Sequence, residues 1–132
     1  MTGTAENIET VRSYFAAVAA GDIATLTTLL TEDLVWHQPG AGSLSGRHDG
    51  RDAVFGLIGQ FMQRSEGSFV IDEVGPLLGN GDLVAATVHF RASRGEEAMS
   101  MSGIDLLRVE DGRIREVWLF SGDQAAEDRF WG

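Results

Sequence analysis

Residues 68–120 read SFVIDEVGPLLGNGDLVAATVHFRASRGEEAMSMSGIDLLRVEDGRIREVWLF. Four runs rich in apolar and β-branched residues are separated by three short polar turns. Ser68 to Leu78 is strand-like. Gly79-Asn80-Gly81-Asp82 predicts a hairpin, because Asn-Gly tolerates the positive φ values of a tight turn. Leu83 to Ser93 predicts a second strand, Arg94-Gly95-Glu96-Glu97 a turn, and Met99 to Val109 a third strand. Glu110-Asp111-Gly112 turns the chain into a last strand, Ile114 to Phe120. Consecutive strands joined by such short turns pair antiparallel, so this half predicts a four-strand meander.

The period changes on the N-terminal side. Ile8, Val11, Phe15 and Val18 recur at three- and four-residue spacing, which predicts an amphipathic helix over residues 5–20, ended by Gly21. Asp22 can cap a second helix with Ile23, Leu26, Leu29 and Leu30 on one face. Leu34 to Gln38 predicts a short strand stopped by Pro39-Gly40. Residues 40–50 are rich in Gly and Ser and read as a loop. A third helix over about 51–64 turns Val54, Leu57, Ile58 and Phe61 inward. Past the meander, Asp123 can cap a short helix running to Phe130.

Helices and strands are thus segregated: α-α-β-α-β-β-β-β plus a short C-terminal helix. That is an α+β class rather than an alternating α/β one. A long antiparallel sheet twists and curls, so packing three helices on one face predicts a cone with a small-molecule pocket at its mouth.

With 132 residues the chain is one domain. Its formal net charge of −10 repels phosphate backbones and predicts no nucleic-acid partner. No basic run suggests an anionic membrane, and no apolar run reaches the roughly 20 residues that span a bilayer. The polar stretch Met1 to Thr10 does not resemble a secretory leader. The absence of cysteine removes disulfides and thiolate chemistry and fits a cytoplasmic location. The three histidines, His37, His48 and His89, lack ligand-type spacing, so no metal is expected. No other cofactor is implied.

Several residues could carry chemistry. Asp105 sits in an otherwise apolar strand and shares a face with Leu107 and Val109. A carboxyl in that setting should hold its proton more tightly than usual. It is either a functional acid or a structurally bonded one. Tyr14 lies between Val11 and Val18 and is either a pocket hydrogen-bond donor or a core-edge tyrosine. His37 and Gln38 end the first strand, and alternation lets only one of them face inward. If His37 is inward it is the natural base near neutral pH. His89 can reach the cavity or face solvent, and His48 reads as exposed. Trp36, Trp118 and Phe120 can wall a pocket for a flat apolar ligand, with Phe55, Phe61, Met62, Met99 and Met101 as further wall or core. Leu106 on the opposite strand face leaves an apolar surface that a second copy of the chain would cover.

The order of elements, together with Tyr14-Phe15-Ala16-Ala17, Ala20-Gly21-Asp22, Val35-Trp36-His37-Gln38-Pro39-Gly40, Gly50-Arg51-Asp52-Ala53-Val54, Asp111-Gly112-Arg113-Ile114 and the tail Gly122-Asp123-Gln124 through Phe130-Trp131, resembles the NTF2-like superfamily of ketosteroid isomerases, SnoaL-like polyketide cyclases and limonene-epoxide-hydrolase-like enzymes. The resemblance implies a homodimer formed through the sheet and a cofactor-free proton-transfer site for isomerisation or cyclisation. In ketosteroid isomerases a Tyr on the first helix and a protonated Asp on a late strand donate to a developing oxyanion. Tyr14 and Asp105 match those places. The family's base is an Asp before a Pro on the first strand, where this chain has Gln38. An amide takes no proton at neutral pH; His37 is the replacement base if it turns inward, and otherwise lies on the outer face or at a subunit contact. The epoxide-hydrolase branch uses an Asp–Arg–Asp set, but Arg108, three residues from Asp105, falls on the opposite strand face. A non-catalytic ligand-binding dimer is the other function this resemblance allows.

Overall fold

The computed structural model describes residues 3–132. Helix α1 (Thr4–Ala20) is followed by α2 (Ile23–Leu29), β1 (Leu30–Gln38), β2 (Gly46–Asp49), α3 (Arg51–Arg64), β3 (Val70–Asn80), β4 (Leu83–Arg94), β5 (Glu97–Glu110), β6 (Arg113–Ser121) and α4 (Gln124–Trp131). The α+β class and the helix-covered curved sheet stand as expected from the sequence. The sheet is larger than the expected meander: it has six strands in the order β2-β1-β6-β5-β4-β3. It is also mixed, because β1 runs parallel to β6.

Two boundaries differ from the sequence reading. The loop expected over residues 40–50 contains β2, which pairs antiparallel with β1 from Val35↔Asp49 to Gln38↔Gly46. Its residues, Gly-Arg-His-Asp, carry no apolar alternation; the backbone ladder with β1 makes it a strand. The first strand begins at Leu30, not Leu34, and Leu30 is 1% exposed. Alternation fails at the polar residues Thr31, Glu32 and Asp33, so the hydrophobic pattern could not reveal the strand's start.

Local signals explain the helix ends. Gly21 takes φ 64° and its N–H satisfies carbonyls of α1, a conformation that a side chain would penalise. The carboxylate of Asp22 accepts from the Thr25 N–H at 3.1 Å and caps α2. Asp123 does the same for α4 through the Ala126 N–H. At the β5–β6 turn, Asp111 and Gly112 both have positive φ, the pattern of a two-residue type I′ hairpin loop.

The helices cover the inner face of the sheet, with α1 over β3, α3 over β1 and α4 over β5. Val11, Val54, Val84, Leu107, Ile114 and Val117 are fully buried between the layers. Truncating a residue such as Leu107 to Ala removes about 2–5 kcal/mol of stability by the cavity it leaves. Asn7 is polar and buried; its Nδ2 donates to the Gly81 carbonyl at 2.9 Å and ties α1 to the β3–β4 turn. Among the described residues no helix is long and apolar enough to cross a membrane.

Candidate active site

The layers do not close at the end of the sheet where α4 folds back. A cavity of ≈ 100 Å³ lies there between α1, α3, α4 and the inner strand faces. Its wall is chiefly aromatic and aliphatic, from Phe61, Phe69, Ile71, Phe90 and Trp131 among others. The polar residues that reach it are Tyr14, Gln38, Asp105, Ser121 and Glu127.

Asp105 arrives by strand alternation. In β5 the residues Met101, Gly103, Asp105, Leu107 and Val109 are all buried. Asp105 itself is 5% exposed, and among the described residues no donor bonds to its carboxyl. Its pKa is pushed up from 3.8 to about 7, first by burial and second by the charge of Glu127. Tyr14, 4% exposed, comes from the inner face of α1. Its phenol is also without a bonding partner among the described residues. Burial, and secondarily the charge of Asp105, push its pKa well above the ordinary phenol range. Below about pH 7 both groups carry a proton, and among the described residues no hydrogen bond engages either of them.

Trp36 and Gln38 share the inner face of β1, and the Trp36 indole donates to Gln38 Oε1 at 3.0 Å. Glu127 comes from α4 and is 5% exposed. Its Oε1 accepts from Ser121 Oγ at 2.6 Å and Gln124 Nε2 at 3.1 Å. Its Oε2 accepts from the Trp131 indole at 3.2 Å. Three donors thus fix the position of this carboxyl.

Of the residues picked out in the sequence, Tyr14, Asp105, Trp36, Gln38, Phe61 and Phe120 border this one cavity. Phe120 does so from an edge, being 56% exposed. The other expectations require correction. His37 does not face the cavity: with Gln38 inward, alternation turns it to the outer face, where its ring stacks on Trp118 at 5.4 Å and 7° and its Nε2 meets Glu116 at 2.6 Å. Trp118 is outward for the same reason, since it pairs with Leu106 opposite the Asp105↔Leu119 rung. His89 is outward too, with Nδ1 2.6 Å from Asp72. Met101 is buried opposite Phe90 but packs as core, and Phe55 lies off the helix stripe that meets the cavity. Met62 is 39% exposed on the solvent side of α3. His48, expected to be free in solvent, is half-buried and bonds the Leu44 carbonyl at 2.9 Å.

Glu127, Ser121, Phe69, Ile71 and Trp131 were not anticipated as pocket residues. A signal for Glu127 existed: Gln124, Glu127 and Trp131 fall on one face of α4 at spacings of three and four. Among the described residues no three His, Asp or Glu side chains gather as a metal site.

The sequence profile of the SnoaL-like domain matches residues 11–117. An uncharacterized protein, Rv0034 of Mycobacterium tuberculosis, is 32% identical over 131 residues, covering 99% of each chain. A protein of unknown function with a cystatin-like fold from Xanthomonas campestris is 42% identical, with a TM-score of 0.92 over 96% of this chain and 98% of that one. Bal32a, from a soil-derived mobile gene cassette, is 31% identical with a TM-score of 0.92 over 98% of both chains. IdmH of Streptomyces antibioticus, described as a candidate polyketide cyclase, is 25% identical with a TM-score of 0.72 over 88% of this chain and 91% of its own.

Proposed function

Since the chain belongs to the SnoaL-like family, we propose that it is a cofactor-independent cytoplasmic enzyme that moves a proton on a small, apolar, carbonyl-bearing substrate, as an isomerase or cyclase. The observation that carries this reading is the Asp105 carboxyl: buried, without a bonded donor among the described residues, raised to a pKa of about 7, and facing an apolar cavity that the Tyr14 side chain also lines. Below about pH 7, two neutral donors reaching one apolar cavity are poorly matched to a ground-state ketone and well matched to the enolate oxygen that forms when an α-proton leaves. The likeness to IdmH supports cyclisation as one form of this chemistry.

The reading is tested with 2-naphthol, whose ionised form mimics the enolate oxygen. Below pH 7 the wild-type chain should bind it with an affinity that falls about 10-fold or more in Tyr14→Phe and in Asp105→Leu, each of which removes a donor, the scale of a hydrogen bond to a charged group. Equal affinity in all three proteins would remove the oxyanion site.

One observation favours a second reading, a non-catalytic ligand-binding protein. Gln38 stands where the family's base stands, and its carbonyl is already taken by Trp36. In either case we propose a homodimer joined through the outer sheet face.

A further inference from the structure

With Gln38 an amide and His37 on the outer face, the cavity lacks its expected proton acceptor. We propose that Glu127, on the C-terminal helix, is the cavity's base, and that it and Asp105 form a pair of carboxyls that together hold one proton, on Asp105. The first half rests on the proton-transfer reading above; the pairing does not.

Three observations and one electrostatic rule carry it. Glu127 and Asp105 line the same cavity and both are 5% exposed. Two buried carboxylates facing one apolar space cannot both ionise without a large electrostatic penalty. The partition between them is decided by donors: Glu127 receives three, while Asp105 receives none among the described residues. Finally, Glu127 Oε1 carries two of those bonds and Oε2 one, so Oε2 keeps a lone pair free to accept a proton.

Among the described residues no basic side chain forms an ion pair with either carboxyl. On α3 and β4, Arg64 donates to the Trp131 carbonyl at 2.8 Å and Arg94 to the Phe130 carbonyl at 2.9 Å. On α4 itself, Asp123 caps the helix and Asp128 accepts from Gln124 and from the Ala41 N–H. On α1 the facing group is the neutral Tyr14 phenol.

The step balances without a cofactor. Glu127 Oε2 takes a proton from the carbon next to the carbonyl. The C–H electron pair becomes the enolate double bond, and the carbonyl π pair moves to oxygen, where Asp105 and Tyr14 donate to it. The same proton returns from Glu127 to a carbon of the conjugated system.

Carbon-13 NMR titration of the full chain, labelled at the Asp and Glu carboxyls, tests the pair. Glu127 should be ionised while Asp105 still holds its proton, and Glu127→Gln should lower the Asp105 midpoint by about one pH unit or more. Glu127→Asp, which keeps the charge, should leave that midpoint high and controls for loss of packing. An unmoved midpoint in Glu127→Gln, or protonation of Glu127 before Asp105, overturns the pair. Deuterium exchange into the α-position of 1-tetralone tests the base: wild type should accelerate it, with a loss of roughly 100-fold in Glu127→Gln and partial recovery in Glu127→Asp. Wild-type exchange that Glu127→Gln matches overturns Glu127 alone. No exchange by wild type overturns the proton-transfer reading and the base with it, whatever the titration shows.

Discussion

The indole N–H of Trp36 donates to the side-chain carbonyl of Gln38, two residues along the same strand and on the same buried face. The bond fixes the amide with its oxygen toward the indole. Replacing Gln38 with Leu would leave a buried indole N–H without its acceptor, at about 1–3 kcal/mol. Chemical denaturation followed by tryptophan fluorescence should show that loss. An unchanged midpoint would mean that the indole finds another acceptor.

Asp105 links the site to the stability of the whole chain. Its carboxyl ionises near 3.8 when unfolded and at about 7 when folded. Between these values the folded chain binds a proton that the unfolded chain lacks, so this group's contribution is fully present below about pH 4 and is lost as pH rises through 7. Asp105→Asn, which mimics the neutral form, should match wild type near pH 4 and exceed it at pH 8 by an amount on the order of a few kcal/mol. Denaturant melts of the two proteins across that range measure the difference, and groups such as Asp22 and Asp72 cancel. Parallel curves would place the Asp105 carboxyl in a solvated setting.

Tyr14 is the chain's single tyrosine, so its ionisation can be followed alone. Burial and the neighbouring Asp105 both oppose the phenolate. An absorbance titration at the phenolate band should show no transition at the ordinary pH of about 10, and a signal only as the fold is lost. Tyr14→Phe should change stability by less than about 1 kcal/mol, because among the described residues the hydroxyl has no hydrogen-bond partner to lose. A phenolate transition near pH 10 in the folded protein would contradict the buried donor.

The parts of this architecture visible in the sequence are those where one residue's placement follows from its immediate neighbours. Asp105 was readable because Leu107 and Val109 fix its face by the two-residue period of a strand. His37 was not, because a register change of one residue reverses every side chain. The phase of β1 is set by its pairing with β6 and β2, and β2 has no hydrophobic pattern of its own. Glu127 was hidden differently. On an eight-residue helix a glutamate reads as surface charge, and only the return of α4 over β5 buries it. Gly40 shows how that return is shaped: it takes φ 92°, and a Cβ there would run into the side chains of Asp128 and Gln124.

The outer sheet face carries the last prediction. Ala85, Leu106, Trp118 and His37 form one continuous rung across β4, β5, β6 and β1. Ile104 and Phe120 beside it are 44% and 56% exposed. Charges of both signs interrupt the apolar surface: Arg108 lies over the Trp118 ring at 5.5 Å, and Glu116 holds His37. A surface that mixes both signs around an apolar centre can complement a copy of itself across a two-fold axis. Sedimentation should therefore give a dimer at micromolar concentration. Ile104→Glu, which puts a like charge on each side of that axis, should give a folded monomer with an unchanged far-ultraviolet spectrum. Ile104 does not line the cavity, so 2-naphthol binding should survive the change. A wild-type monomer, or a dimer indifferent to Ile104→Glu, would take the interface away from this face.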